Sequence, residues 1–384
     1  FAWQLDEALL QEKRFPTVPE LDSAVPDKPL LLRRIDGHSC MLNSFARKRI
    51  EDLDTDREIL RGAENDKAVH YFHSCLTDDR ILEAYQVSAK LGLQAGFCSL
   101  HTMIGNAQNS ITHYELIRDN LDQFPLRFIL YPQSFNIKAA LNAGAQRIGG
   151  CILADGSIGS ETAAVSEPYL NSTSRGVLYQ SDEFWQQFIS EASKHNLQVA
   201  VHCIGDRAIR QINNVYKAIP ATEELRHELI HCELTDDALI QEIAISKAVP
   251  VMQPNFDLLW GGENGFYAKK LGIKRSRIMN RFANLLKAGI TITGGSDWYV
   301  TPLNAAQSIK AAINHHNPQE GLTIAQAIDI YTKNAAWLNF EEHCAGQIKP
   351  SYVADLSIYS QPVEKETSQL CYVVRKGEIK YAAQ

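Results

Sequence analysis

The sequence predicts an α/β fold, a distorted (β/α)8 TIM-like barrel, and three observations carry that expectation. From residue 95 onward short β-rich runs alternate with amphipathic helical stretches, and strands separated by helices pair in parallel because a parallel neighbour needs a long crossover. Polar residues gather at or near the C-terminal ends of different strands, at His101, Asp155, His202, His231, Gln253 and Asp297, where barrels of this kind carry their chemistry. The length, 384 residues, suits one large α/β domain or two of ordinary size.

In chain order, residues 1–90 hold one strand-like run, "KPLLLRRIDGH", and then polar helices such as "DKAVHYFHSCLTDDRILEAYQVSAKLG". They are expected to form an inserted lobe over the barrel mouth. Residues 91–345 form the barrel, with seven strand runs: "AGFCSLHTMIG", "PLRFILYPQ", "RIGGCILADGS", "LQVAVHCIGD", "RHELIHCEL", "AVPVMQPNF" and "ITITGGSDW". Between them, "SDEFWQQFISEASKHN" and "SRIMNRFANLLKAG" start on Ser and end on Asn or Gly, as helix caps require. A closed barrel of this type needs eight strands, so its first strand is expected to be lacking in this chain. Residues 346–384, with "GQIKPSYVADLSIYSQP" and "LCYVVRKGEIKYAA", read as the C-terminal part of a small β-sandwich module.

Bulk properties narrow the partners. The net charge is -7 with a pI near 6.0, and no basic run occurs, which argues against nucleic acid or an anionic membrane surface. A small-molecule substrate is expected, and a homodimer is the one protein assembly considered. Eight cysteines without a CxxC pair, in a chain too long to need disulfide staples, point to a reducing compartment. "FAWQLDEALLQEKRF" lacks the basic start and apolar run of a signal peptide. No apolar stretch reaches the roughly 18 residues of a membrane span, so the expected location is cytoplasmic.

Two strands end on histidine followed by cysteine, "VAVHC" at 199–203 and "ELIHC" at 228–232. Side chains alternate across a strand, so with His202 and His231 pointing into the barrel, Cys203 and Cys232 face the surrounding helices. A lone histidine is more often structural than a ligand. A matching pair on successive strands, followed two strands later by Asp297 in "ITITGGSDWYV", favours a site instead. Two neutral imidazoles and a carboxylate suit zinc or a similar divalent ion. Such an ion lowers the pKa of water from ~15.7 toward ~7 and polarises a carbonyl. Asp297 would accept the proton of the attacking water and pass it to a leaving nitrogen.

The order of motifs resembles the amidohydrolase superfamily, in its N-substituted formamide deformylase-like branch (amidohydrolase family 3). The segments that carry the resemblance are "PDKPLLLRRIDGHSCMLNS", "ADGSIGSETAAVSEPY", "VHCIGDRAI", "ELIHCELTDD", "MQPNF", "GGSDWYVTPLN", "YTKNAAWLNFEEHCAGQIKPSYVADLSIY" and "VVRKGEIKY". The resemblance implies a metal-dependent hydrolase of non-peptide C–N bonds, amide, N-acyl or N-formyl. It implies His202 and His231 as the ligands of the fifth and sixth barrel strands, and Asp297 as both ligand and proton shuttle.

Two departures matter. No HxH pair, the family's first-strand ligands, occurs in the sequence. Cys151 stands where relatives often carry a carboxylated lysine bridging two metals, so one or two ions are both open. Cys151 reads equally as a thiolate ligand or a small buried hydrophobe. Glu161 stands where relatives commonly carry arginine. His38, His101, Asp155, Ser157 and Gln253 are candidates for substrate contact, with local capping the competing role for Asp155 and Ser157. His70, His73, His113, His315 and His316 are expected to be solvated. The competing reading of the whole is a non-catalytic scaffold or inactive fragment.

Overall fold

The computed structural model describes residues 2–7, 9–35, 37–53, 56–105 and 111–383. They form two compact units, residues 1–83 with 298–300, and residues 84–297 with 301–384.

In the first unit β1 (Ala2–Leu5), β2 (Leu31–Arg34), β3 (Ser39–Leu42) and β4 (Leu60–Arg61) form one sheet in that order. β1 runs parallel to β2, and the remaining pairs are antiparallel. Leu31, Cys40, Leu42 and Leu60 from the sheet pack with Ala68, Val69 and Phe72 of the helix Ala63–Ser74. Buried Arg47 donates to the carbonyls of Leu42, Arg57 and Glu58. The sequence expectation of one strand here was too low. β3 is buried at every position and β4 has two residues, so neither shows the alternation by which a half-buried strand is recognised.

The second unit holds the seven expected parallel strands. β5 (Ser99–Ile104) pairs with β6 (Arg127–Pro132). β7 (Arg147–Leu153), β8 (Gln198–Cys203), β9 (Glu228–His231), β10 (Val249–Met252) and β11 (Thr293–Gly294) form a second sheet in sequence order. Helices Asp182–Lys194, Asp206–Ala218 and Asp237–Ser246 cross between successive strands. Ser181 caps the first and Asp236 the third through their side chains. The predicted helix over 276–289 is shorter, Phe282–Lys287, because Asn280 takes a left-handed conformation at φ +54°. After the barrel strands, β12 (Leu356–Tyr359), β13 (Leu370–Arg375) and β14 (Glu378–Ala382) form an antiparallel sheet. Among the described residues no helix is long and apolar enough to cross a membrane.

Alternate strand positions build the interior. Ile129, Tyr131, Ala200 and Ile230 pack together, with Met103 and Val251 against them. β7 bends over Ala200: its register to β8 shifts between Gly149 and Ile152. Gly149 has φ +101°, and a Cβ there would stand 2.2 Å from the Ala200 carbonyl oxygen, so only glycine fits.

A polar chain runs through this interior. His101 Nδ1 lies 2.9 Å from the Tyr131 hydroxyl, which donates to Glu228 Oε1 at 2.8 Å. Burial pushes the Glu228 carboxyl up to about 7, opposed by the Tyr131 hydrogen bond and by Arg147. Burial, then Arg147 and Arg127, hold His101 down to about 3. The folded Glu228 therefore binds its proton more tightly than an unfolded one with a pKa near 4.5. Its contribution to stability is complete below that value and is lost as pH rises through about 7, on the order of 3 kcal/mol. Glu228→Gln should flatten this part of the pH–stability curve measured by urea unfolding. An unchanged slope between about pH 5 and pH 8 would contradict the assignment.

Candidate active site

β8 and β9 pair with His202 opposite Ile230 and Cys203 opposite His231. In flat strands that register puts the two histidines on opposite faces. The backbone of His231 is instead left-handed, φ +74°, as is that of Cys232, φ +49°. The turn brings the rings together, with centroids 4.6 Å apart and planes at 72°. Both residues are buried, His202 at 2% and His231 at 4% exposure. Cys203 and Cys232 are fully buried, and burial raises both thiols, as expected of core cysteines.

Gln253, expected to meet substrate, is a partner of His231. Its Oε1 lies 2.7 Å from His231 Nδ1, while its Nε2 donates to the Val251 carbonyl at 3.1 Å. That second bond sets which end of the amide faces the ring, so Nδ1 carries the proton and Nε2 keeps its lone pair. Phe256 stacks on the other side of His231 at 5.6 Å.

Asp155 follows β7 and is fully buried. Its carboxylate accepts from the backbone N–H groups of Ala164, Ile204 and Gly205 at 2.8, 2.9 and 2.8 Å. His202 Nδ1 lies 3.6 Å from its Oδ1. Of the two readings of Asp155, these contacts are those of a cap: it ties the loop after β7 to the exit of β8. Asp206, at the start of the next helix, holds the far end of that loop through the N–H and hydroxyl of Ser166. Ser157 Oγ accepts from Ser160 N at 3.2 Å inside the loop. Glu161, where relatives carry arginine, pairs with Lys270 at 2.7 Å.

Asp297 lies three residues past β11 in a left-handed conformation, φ +52°. The residue is partly exposed, yet its carboxyl is withdrawn from water: burial raises its pKa, and nearby His231 opposes the rise. Glu233, two residues past His231, was not singled out from the sequence. It is 2% exposed, accepts from the Tyr267 hydroxyl at 2.5 Å, and burial followed by Asp155 and Asp297 pushes it up to about 8. The signal available was an acid just after a strand-terminal histidine, in "IHCE".

The remaining candidates lie elsewhere. His101 is engaged with Tyr131 between β5 and β6. His38 belongs to the first unit, within electrostatic reach of Asp66. Cys151 sits in the irregular part of β7 and is partly exposed. The expectation that His315 is solvated fails: it is 7% exposed, accepts from Asn317 N through Nδ1 and reaches the Asn280 carbonyl and Asp257 through Nε2. The neighbouring dipeptide "HH" gave no hint of which ring turns inward.

A divalent cation fits the chemistry of the paired imidazoles. Burial lowers His202 to about 4, so it is unprotonated at neutral pH, and Gln253 engages Nδ1 of His231, so that coordination by this ring would fall to Nε2. Asp297 supplies a nearby carboxylate. Among the described residues no three His, Cys, Asp or Glu side chains are gathered closely enough to hold an ion as they stand.

A family model covers nearly the whole chain, and solved structures share its fold. The sequence matches the Amidohydrolase family over residues 1–381. YtcJ of Bacillus subtilis (strain 168), which carries an amidohydrolase name, is 25% identical over 419 aligned residues, covering 95% of this chain and 76% of YtcJ. Crystal structures of two metal-dependent hydrolases, both titled uncharacterized, share the fold. The one from Pyrococcus horikoshii OT3 has a TM-score of 0.76 at 20% identity, over 98% of this chain and 78% of its own. The one from Pyrococcus furiosus has 0.71 at 23%, over 91% and 75%.

Asp155→Ala strands three buried N–H groups, at about 1–3 kcal/mol each where water does not replace the carboxylate. Urea unfolding should show a loss of at least about 3 kcal/mol, and Asp155→Asn, which keeps an acceptor oxygen, a smaller one. A loss under about 1 kcal/mol for the alanine variant would remove Asp155 from this role.

Proposed function

Because the chain belongs to the amidohydrolase family, we propose that it is a metal-dependent hydrolase of carbon–nitrogen bonds outside ordinary peptides, acting on N-acyl or N-formyl compounds. The observation that carries this reading is the buried His202–His231 pair at 4.6 Å, with Asp297 within electrostatic reach of His231. His202, His231 and Asp297 would hold the cation, zinc being the first candidate, and Cys151 is the side chain available to a second ion. When bound, the cation supplies polarisation of the scissile carbonyl and a more acidic water.

The protein's own groups do the rest. Gln253 keeps His231 in one tautomer. Asp297 takes a proton from the attacking water onto a carboxylate oxygen as the O–C bond forms, and delivers it to the leaving nitrogen as the C–N bond breaks. Asp155 and Asp206 hold the loop after β7 in place.

A second reading, a non-catalytic scaffold of the same fold, is favoured by one observation: no described group of three ligands stands assembled. Elemental analysis of the purified chain separates the two, stoichiometric divalent metal supporting the enzyme and its absence the scaffold. On a panel of N-formyl and N-acyl amines, Asp297→Asn should lower kcat by about 10²–10⁴-fold with an unchanged urea midpoint. Full turnover by that variant would remove Asp297 from the mechanism. Chelation followed by dialysis should abolish turnover, and activity should return with added metal.

A further inference from the structure

At the edge of the parallel strands opposite the histidine pair, a cavity of about 370 Å³ opens where β6 and β7 begin. Four arginines line it: Arg118, Arg127, Arg147 and Arg375. Two of them are already matched by acids. Arg127 holds Glu341 in a bidentate pair at 2.8 and 2.5 Å, and Arg118 pairs with Asp119 at 2.8 Å while donating to the Ala143 carbonyl.

The other two are not. Arg147 is 6% exposed and donates from Nη1 to the neutral Asn339 Oδ1 at 2.7 Å. Arg375 donates from Nη1 to the carbonyls of Phe124 and Pro125 at 3.3 and 3.2 Å. The Nε of each is buried without a hydrogen-bond partner. Neither guanidinium forms an ion pair among the described residues. Asp122 also lines the cavity, without a hydrogen bond to either.

A buried cation with neutral partners and an idle donor is costly unless something compensates it. Glu228 and Glu341 lie within electrostatic reach of Arg147 and the Tyr131 ring stands 5.1 Å from its guanidinium, but a purely structural role, pinning β7 to Asn339, would use one donor and leave the buried Nε idle. Guanidinium forks match the planar or tetrahedral oxygens of carboxylates and phosphates. The volume is that of a small-molecule site, and Tyr114 and Phe128 supply ring surface in its lining.

We propose that this cavity binds a small organic anion, with its carboxylate or phosphate head between Arg147 and Arg375 and an aromatic or aliphatic body against Tyr114 and Phe128. The site is separate from the histidine pair and needs neither a metal nor turnover. It stands whether or not the proposed hydrolysis does.

Titration calorimetry of the chain at low salt with phenyl phosphate and with benzoate tests this, with uncharged benzamide as the control. Saturable binding is expected for at least one of the two anions, and which one binds reads the head group. Benzamide should give no signal. Arg375→Gln, on the partly exposed end of β13, should weaken binding by at least about tenfold. Arg147→Lys keeps the charge and loses the fork, and should weaken binding as well; unfolding midpoints check that both variants retain the fold. The proposal is overturned by failure of both anions to saturate, by benzamide binding as tightly as they do, or by Arg375→Gln binding them with unchanged affinity.

Discussion

The candidate site depends on one backbone constraint, the left-handed turn at His231. The β8–β9 register places His202 opposite Ile230, so regular strands would separate the two imidazoles across the sheet. Positive φ at His231 and Cys232 reverses that and brings the rings edge to face, centroids 4.6 Å apart. Such conformations cost about 1–3 kcal/mol each and persist only where surrounding contacts over-determine them. Here the contacts are specific. Cys232 N donates to the Cys203 carbonyl at 3.0 Å, Gln253 holds Nδ1, and Phe256 closes on the ring face. Asp297, the third member of the proposed set, is also left-handed, so strain gathers where the chemistry is proposed.

Around that pair the acids divide into holders and actors. Asp155 spends its carboxylate on three backbone amides and so turns two loops into one rigid wall beside His202. Asp206 does the same through Ser166. Glu233 is bonded to Tyr267, and Asp297 keeps its pKa raised by burial. A concentration of carboxyl groups in a poorly hydrated pocket is unfavourable alone and becomes favourable beside a cation.

The two edges of the parallel strands therefore carry opposite electrostatics. Carboxyl groups and imidazoles crowd the C-terminal edge, while Arg127 and Arg147 open β6 and β7 at the other and face Arg118 and Arg375 across a cavity. Between them lie the packed Ile129, Tyr131, Ala200 and Ile230 and the His101–Tyr131–Glu228 chain.

The sequence by itself determined the seven parallel strands of the second unit, their helical crossovers and the residue types at their ends, because alternation, capping and β-branched runs are local signals. His202, His231 and Asp297 were visible as polar residues where apolar strands stop. Only the tertiary structure decided how the two histidines meet, because the register and the left-handed turn at His231 are set by neighbours distant in the chain. The same holds for Gln253, read as a substrate contact and found holding His231; for Asp155, found accepting from three backbone amides; and for Glu233, whose only local mark is its place just after a strand-terminal histidine. β3 was missed because a fully buried segment loses the periodicity that identifies a strand, and β4 because two residues are too few to show one. Arg147 and Arg375, more than two hundred residues apart in the sequence, converge only after folding, and that neither forms an ion pair among the described residues is a property of that arrangement rather than of composition.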